Sequence, residues 1–220
     1  MSQTLSQIKA LLRNHGLRPK KRLGQNFLHD GNQMARIVSA AQLEPGEPVL
    51  EVGPGTGNLS LRLLERGVKL LAVEADRDLK PILEQVLPLG CEERVLLIMG
   101  DILAGKHQLN SAVLQAMGTT SFKLVANLPY NVASPLLANL VADYPMRLAV
   151  VTVQHEVAQR LCAGPGTKSY GPLGVLVQAM CEVEPISHLS PSCFWPAPEV
   201  ESMVLRLKRR DRPLTEQPHR

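Results

Sequence analysis

The stretch Val49-Leu-Glu-Val-Gly-Pro-Gly-Thr-Gly57 decides the fold. The short apolar run from Pro48 to Val52 predicts a buried strand, and three glycines follow it within five residues. A helical pattern begins near Asn58, and Gly67 is typical of the residue that follows a helix. Strand, glycine-rich turn and helix together form the opening of a nucleotide-binding βαβ unit, because glycine permits positive φ and a close approach of the backbone to a ligand.

The spacing of the glycines indicates which kind of ligand this turn would hold. The pattern Gly53-x-Gly55-x-Gly57 differs from the GxGxxG that surrounds a pyrophosphate. The next predicted strand ends at Glu74, about 20 residues beyond the turn, where a carboxylate can accept hydrogen bonds from ribose hydroxyls. These features predict a site for an adenosine-type cofactor without a pyrophosphate, such as S-adenosylmethionine. On the glycines alone an ordinary tight turn is an equally good explanation, and Glu74 favours the ligand site.

Composition and charge narrow the class of protein. The 220 residues, of which 45% are hydrophobic and 20% charged, predict one soluble globular domain. The longest apolar run, 146–153, has the length of a strand, so we expect no membrane span. The net charge is +4, no acid precedes Asp30, and cations cluster near both ends of the chain. This clustering suggests a polyanionic partner such as nucleic acid, although a solvated basic surface is the better explanation of a charge run alone.

The cysteines give no sign of a metal site or of a disulfide framework. Cys91, Cys162, Cys181 and Cys193 are scattered, and none has CxxC or Cys/His ligand spacing. The sequence also shows no secretory signal. We therefore expect a protein without metal in the reducing cytoplasm.

Strands alternate with helices from residue 48 onward, and two strands without a helix between them close the chain. This order predicts an α/β fold with a mostly parallel seven-stranded sheet, an antiparallel C-terminal edge and helices on both faces. The predicted strands are 49–52, 68–73, 95–99, 122–126, 147–153, 182–188 and 200–207. The predicted helices are 4–14, 32–41, 58–66, 78–87, 107–117, 134–142 (with Ser134 as N-cap), 155–163 and 173–180.

Polar residues at the carboxyl ends of the strands are the candidate site residues, because open α/β sheets bind ligands there. Asp101 is a candidate acceptor for an adenine amine, although aspartate is also common in turns. In Asn127-Leu-Pro-Tyr130, Pro129 favours an extended Leu128 and removes a backbone donor. The Asn127 amide oxygen, the Leu128 carbonyl and the Tyr130 ring would then suit an exocyclic amine on a nucleobase. A simple exit from strand to loop, with Asn and Pro as turn residues, is the better explanation of this motif when it stands alone.

Eight stretches between residue 21 and about residue 208 resemble the ribosomal RNA adenine dimethyltransferase family, most closely its bacterial small-subunit branch. The resemblance implies a Rossmann-like, S-adenosylmethionine-dependent methyltransferase fold. It also implies dimethylation at N6 of two adjacent adenosines near the 3′ end of 16S rRNA. The matching stretches are Lys21-Arg-Leu-Gly-Gln-Asn-Phe-Leu28, Glu51-Val-Gly-Pro-Gly-Thr-Gly57, Val73-Glu-Ala-Asp76, Gly100-Asp101, Asn127-Leu-Pro-Tyr130, Gln154-His-Glu-Val157, Tyr170-Gly171 and Phe194-Trp-Pro-Ala-Pro-Glu-Val-Glu-Ser202.

The resemblance also implies roles for individual residues. Tyr130 and Phe194 would sandwich a flipped adenine, next to the catalytic motif Asn127, Leu128, Pro129 and Tyr130. The implied RNA-binding cations are Lys20, Lys21, Arg22 and Lys168. The implied partner is the immature small ribosomal subunit, bound by a monomer without metal. The implied cofactor-binding residues are Gln25, Asn26, Leu28, Gly53, Gly55, Glu74, Ala75, Asp101, Ile102 and Asn127.

Domain boundaries and two departures from the family follow from the same comparison. We expect an N-terminal helical and basic segment, 1–47, within the same domain as the catalytic part, 48–208, and then a tail, 209–220. The family's small C-terminal helical domain is expected to be largely absent, and His155 replaces the usual basic residue of its motif. The alternatives are an assembly factor that binds the immature 30S particle, a 23S rRNA adenine methyltransferase, and a methyltransferase acting on a small molecule.

Overall fold

The computed structural model describes residues 3–90, 94–105 and 108–214. Its strands are β1 (Phe27–Leu28), β2 (Pro48–Val52), β3 (Lys69–Glu74), β4 (Val95–Met99), β5 (Phe122–Asn127), β6 (Met146–Gln154), β7 (Cys181–Leu189), β8 (Phe194–Trp195) and β9 (Ser202–Arg209). Its α-helices are α1 (Leu5–Asn14), α2 (Gly31–Ala40), α3 (Asn58–Leu64), α4 (Lys80–Val86), α5 (Ser111–Met117), α6 (Tyr130–Asp143), α7 (His155–Cys162) and α8 (Pro172–Met180). Short 3₁₀ turns cover Lys21–Leu23, Arg77–Leu79 and Pro191–Cys193.

Seven of these strands form one sheet in the order β4-β3-β2-β5-β6-β9-β7, and β1 pairs with β8 in a separate ladder. β2 is parallel to both β3 and β5, so the chain order reverses between β2 and β5. A crevice at the carboxyl ends of these strands is where such sheets bind ligands. β9 runs antiparallel between β6 and β7, which leaves β7 at the edge of the sheet. The predicted fold class is confirmed.

Two hydrophobic clusters cover the two faces of the sheet. Buried side chains of α1 to α4 pack in one cluster, and those of α5 to α8 pack in the other. Neighbouring strand residues alternate between them: Val150 belongs to the first cluster and Val151 to the second. Because successive side chains of a strand point to opposite faces, strands that are apolar at every position must be covered on both sides.

Local signals account for several helix starts. Thr4 and Gln7 form a capping box at the start of α1. The Asp30 carboxylate accepts hydrogen bonds from two backbone N–H groups at the start of α2. Pro81 lies in the first turn of α4, where its missing N–H breaks no hydrogen bond.

The predicted strands are confirmed to within two residues at each end, but the predicted start of α6 is wrong. α6 begins at Tyr130 rather than after Ser134, so that Pro135 lies inside the helix. The Pro129 carbonyl accepts a hydrogen bond from the Val132 N–H at 3.1 Å, which closes a first turn five residues earlier than predicted. The Pro135 carbonyl in turn accepts a hydrogen bond from Asn139 Nδ2 at 2.9 Å.

Some sequence predictions fall on residues outside the described ranges: Cys91, the helix start at 107, and the end of the tail from 215 to 220. α5 begins at Ser111, with Asn110 as its N-cap. In the part of the chain that the structure describes, Cys162, Cys181 and Cys193 are free thiols. Within the same ranges, the helices are too short or too polar for any of them to cross a bilayer.

Candidate cofactor and substrate site

A cavity opens at the carboxyl ends of β2, β3 and β5, where the topology places the ligand crevice. All the residues predicted to bind a cofactor, together with the predicted catalytic motif, lie on its wall. Their roles remain predictions, but the structure brings them together. The residues are Gln25, Asn26, Leu28, Gly53, Gly55, Glu74, Ala75, Asp101, Ile102, Asn127, Leu128, Pro129 and Tyr130.

The glycine turn after β2 has positive φ at all three glycines: 72° at Gly53, 61° at Gly55 and 80° at Gly57. A side chain at Gly53 or Gly55 would also be crowded, so that the neighbouring residue would have to shift by a few tenths of an ångström. An added Cβ would lie 3.1 Å from Pro129 Cγ at Gly53 and 3.0 Å from the Phe27 ring at Gly55. The glycines therefore allow two neighbouring segments to pack closely against the turn, in addition to any ligand that approaches it.

Glu74 ends β3 beside this turn. Its Oε2 accepts a hydrogen bond from the Gly55 N–H at 3.1 Å, and its Oε1 accepts one from the Asp76 N–H at 2.8 Å. Burial raises the pKa of the Glu74 carboxyl, and these two donors oppose that shift. The Ala75 N–H also lowers the pKa of this carboxyl, and a carboxylate has about four lone-pair sites, so Glu74 keeps room for a hydrogen bond from a ribose hydroxyl.

Glu51, in the middle of β2, is a wall residue that the site predictions missed. It is 1% exposed, and its Oε2 accepts a hydrogen bond from Ser60 Oγ at 2.6 Å. Burial raises the pKa of the Glu51 carboxyl to about 8, the Ser60 bond opposes the shift, and the charge of Glu74 adds to it. The sequence contained a signal for Glu51, because a charged residue inside the apolar run Pro48–Val52 breaks the hydrophobic pattern of a buried strand.

The Asn127 amide is oriented by one hydrogen bond, from its Nδ2 to the Asn26 carbonyl at 3.1 Å. This bond leaves Oδ1 as an acceptor, and no donor of a described residue is bonded to it. The Leu128 N–H donates to the Thr152 carbonyl at 3.2 Å, whereas the Leu128 carbonyl likewise accepts from no described residue. Two unused acceptors thus lie next to each other in the chain, on residues that line the cavity.

Tyr130 and Asp101 complete the polar wall. The Tyr130 hydroxyl is hydrogen-bonded to Ser202 Oγ at 2.9 Å, and burial raises its pKa. Asp101 is exposed, and its Oδ1 accepts a hydrogen bond from the Leu103 N–H at 2.9 Å. The turn role of Asp101 is therefore present, and its other carboxylate oxygen is left for a ligand.

The segment before β1 is tied to the end of β3 through Asp76. Lys20 Nζ lies 2.5 Å from both Asp76 Oδ1 and Asp78 Oδ2, and Gln25 Nε2 donates to Asp76 Oδ2 at 2.7 Å. Burial alone would raise the pKa of Asp76, but the hydrogen bonds from Lys20 and Gln25 outweigh it and the pKa is lowered. Lys20 therefore holds the segment in place through Asp76 and Asp78, and its predicted role in RNA binding stays a prediction.

The predicted aromatic sandwich is not formed in this structure. Phe194 lies in β8, is 3% exposed within the hydrophobic core and is absent from the cavity wall. It pairs with Leu28 across the ladder of β1 and β8, which the sequence did not predict. Stacking of an adenine between Tyr130 and Phe194 remains a prediction and would require Phe194 to become accessible. The remaining predicted RNA-binding cations, Lys21, Arg22 and Lys168, are exposed and lie off the wall.

The comparisons with known proteins agree with this geometry. Residues 16–219 match the family model described as ribosomal RNA adenine dimethylase. A curated relative from Mycolicibacterium vanbaalenii, named ribosomal RNA small subunit methyltransferase A, is 42% identical over 212 residues. That match covers 93% of this chain and 65% of the relative, so the chain spans about two thirds of the relative's length.

Two solved structures are also similar to this chain. A 23S rRNA methyltransferase, ErmE, is 29% identical with a TM-score of 0.69, covering 87% of this chain and 72% of its own. A dimethyladenosine transferase from Plasmodium falciparum is 28% identical with a TM-score of 0.68, covering 84% of this chain and 64% of its own. The match to the family model covers residues 16–219, and the cavity at the carboxyl ends of β2, β3 and β5 lies within it. The chain belongs to the ribosomal RNA adenine dimethylase family.

Proposed function

We propose that this chain transfers methyl groups from S-adenosylmethionine to N6 of two adjacent adenosines near the 3′ end of 16S rRNA, in the immature small ribosomal subunit. The observation that carries the proposal is the pair of unused acceptors, Asn127 Oδ1 and the Leu128 carbonyl, in one cavity with the glycine turn and Glu74. The name of the Mycolicibacterium relative supports the small subunit as the target.

The donor set of the cavity fits a cationic adenosine compound without phosphates. No lysine or arginine of the described residues lies on the wall, whereas the buried carboxyl groups of Glu51 and Glu74 do, so no cationic side chain there would neutralise a pyrophosphate. Glu74 keeps room for a hydrogen bond from a ribose hydroxyl, and Asp101 keeps an acceptor for an adenine amine. When bound, S-adenosylmethionine would supply an electrophilic methyl group on a sulfonium centre.

The residues of the chain would then prepare the target amine. Asn127 Oδ1 and the Leu128 carbonyl accept its two N–H groups, which draws its lone pair out of conjugation with the ring and onto nitrogen. The face of Tyr130 holds the flipped base in place. Positioning and electrostatics of this kind are sufficient for transfer of a methyl group to a neutral amine. The amine nitrogen would form its bond to the methyl carbon as the carbon–sulfur bond breaks, which leaves S-adenosylhomocysteine, and the methylated amine would release one proton to solvent. One N–H then remains, so the second methylation would use a single acceptor.

One alternative concerns the target RNA. The likeness to the 23S rRNA methyltransferase ErmE is as strong as the likeness to the dimethyladenosine transferase, with TM-scores of 0.69 and 0.68. The architecture of the chain therefore favours neither RNA, and the choice of 16S rRNA depends on the relatives that are about 40% identical. Both RNAs belong in the test.

The test is mass mapping of methylated adenosines after incubation with methyl-labelled S-adenosylmethionine and either unmethylated 30S particles or 23S rRNA. We expect dimethyladenosine at two adjacent positions near the 3′ end of 16S rRNA. Asn127→Ala is expected to lower the rate by about 100-fold or more, because it removes one acceptor at the reacting amine. Asn32→Ala, which removes an exposed amide on α2, is the matched control and should retain the parental rate.

Three results would overturn the proposal. Transfer of labelled methyl groups to 23S rRNA alone would mean that the chain methylates the RNA of the large ribosomal subunit. Calorimetric binding of the cofactor and of 30S particles, without label in either RNA, would make it an assembly factor. Equal rates for Asn127→Ala and the parent would remove the acceptor pair from the mechanism.

A further inference from the structure

The cations of the N-terminal segment fall into two groups in the structure. The first 29 residues contain six lysines and arginines and no acid. Lys20 is held by Asp76 and Asp78, whereas the other five make no ion pair with any described residue. Cations elsewhere are often paired, as Lys123 and Arg147 are with Glu47. The unpaired positive charge of this segment is therefore available for an external partner.

Two of these cations lie on a helix that is firmly held in the core. Ile8 and Leu12 of α1 are 0% and 2% exposed, whereas Lys9 and Arg13, four residues apart, lie together on its exposed side. The start of α1 is also anchored, because the Gln3 N–H donates to Asn58 Oδ1 at 2.6 Å. α1 thus presents two positive charges in a fixed orientation, which reduces the entropy lost on binding.

The exposed side of α1 is linked to the cavity wall through Trp195, whose ladder partner Phe27 lies on that wall. Lys9 Nζ is 5.3 Å from the centre of the Trp195 ring in β8. β8 pairs with β1, where Leu28 lies on the cavity wall opposite Phe194. A chain of direct contacts therefore leads from Lys9 to the wall. Lys9 and Arg13 lie outside the cavity wall, so their positive charge would attract a polyanion to the surface next to the cavity and not into it.

We propose that Lys9 and Arg13 form a phosphate-binding face, the α1 face, for the RNA strand that flanks the target adenosine. This inference rests on the proposed function and adds to it a helix that the family motifs do not include. Side-chain ammonium and guanidinium groups bind backbone phosphates whatever the sequence of the RNA, and they fix the position of the strand. The α1 face would guide the backbone past the cavity while the base enters it.

The experiment measures binding of a fluorescein-labelled, single-stranded fragment of the 16S rRNA 3′ region by anisotropy at several salt concentrations. The test variant is Lys9→Gln/Arg13→Gln. The control is Arg66→Gln/Lys208→Gln, which removes two exposed cations. Arg66 precedes β3, and Lys208 of β9 pairs with Leu148 near the start of β6, so both lie at the edge of the sheet opposite the cavity. Both variants lower the net charge equally, so a general loss of charge affects them alike.

We expect the slope of log affinity against log salt to fall by about 1.4 in the test variant, about 0.7 for each phosphate that α1 no longer neutralises. The control variant is expected to keep the parental slope. A second variant, Lys9→Arg/Arg13→Lys, retains the charges and should also keep it. Calorimetric affinity for S-adenosylmethionine is expected to be the same in all of these proteins, because none of the changes alters the cavity wall.

The proposal is overturned if the test and control variants have the same slope. It is also overturned if the slope falls in the charge-retaining variant, since the effect would then come from packing on Trp195. Weaker binding to intact 30S particles with unchanged binding to the RNA fragment would indicate an acidic protein partner instead. A parent that binds the fragment with the expected slopes but transfers no methyl group would refute the proposed function and leave the α1 face standing.

Discussion

Glu51→Gln should change how the stability of this protein depends on pH. Glu51 is 1% exposed, accepts a hydrogen bond from Ser60 Oγ at 2.6 Å and makes no ion pair with a described residue. Burial raises its pKa from 4.5 to about 8, so the folded protein holds this carboxyl protonated at neutral pH. Glutamine has the shape of the protonated acid, can still accept the Ser60 bond, and does not titrate.

The direction in which the free energy of unfolding changes with pH follows from the raised pKa of Glu51. The folded state keeps a proton that the unfolded state loses above about pH 4.5, so the stabilisation is complete below that pH and is lost as the pH rises towards about 8. Each pH unit within this window lowers the free energy of unfolding by about 1.4 kcal/mol. Relative to Glu51→Gln, the parent should lose about 2–3 kcal/mol between about pH 5 and pH 7, with little further change above about pH 8.

Urea unfolding followed by the fluorescence of Trp195, the single tryptophan of the chain, measures this difference. Glu84→Gln, which removes an exposed carboxyl on α4, is the control and should follow the pH profile of the parent. A constant difference between parent and Glu51→Gln from about pH 5 to pH 8 would refute the reasoning, because it would mean that Glu51 titrates alike in both states.

Two further predictions concern packing and the Tyr130 hydroxyl. Gly174→Ala should destabilise the fold by about 1–3 kcal/mol or more, because the added Cβ would lie 2.3 Å from the Arg160 carbonyl oxygen between α7 and α8. Thermal unfolding checks this against Gly164→Ala, where the Cβ meets nothing within 4 Å; equal melting temperatures would contradict it. Tyr130→Phe and Ser202→Ala remove the same hydrogen bond, so their effects on the methyl-transfer rate should not add. Fully additive losses in the double variant would show that the bond does not position the ring.

Much of the architecture and of the cavity followed from the sequence alone. Strands buried on both faces are continuous apolar runs bounded by turn residues, so β2 to β6 could be located from composition and length. Because parallel strands end at the same edge of the sheet, the glycine turn, Glu74 and Asn127 were expected to meet, and the cavity wall contains all of them. The eight motifs led to the same family that the matched residues 16–219 establish.

Only the tertiary structure decided how the remaining groups are used. Lys20 and Asp76 are 56 residues apart, and nothing local to either predicts that they pair. β1 and β8 contain two residues each, too few to show a period, and their pairing determines that Phe194 is buried. The raised pKa of Glu51 likewise arises from the layers that cover β2 on both sides. Local sequence patterns therefore determined where strands, turns and motifs lie, whereas charge pairing and burial depended on which distant segments the folded chain brings into contact.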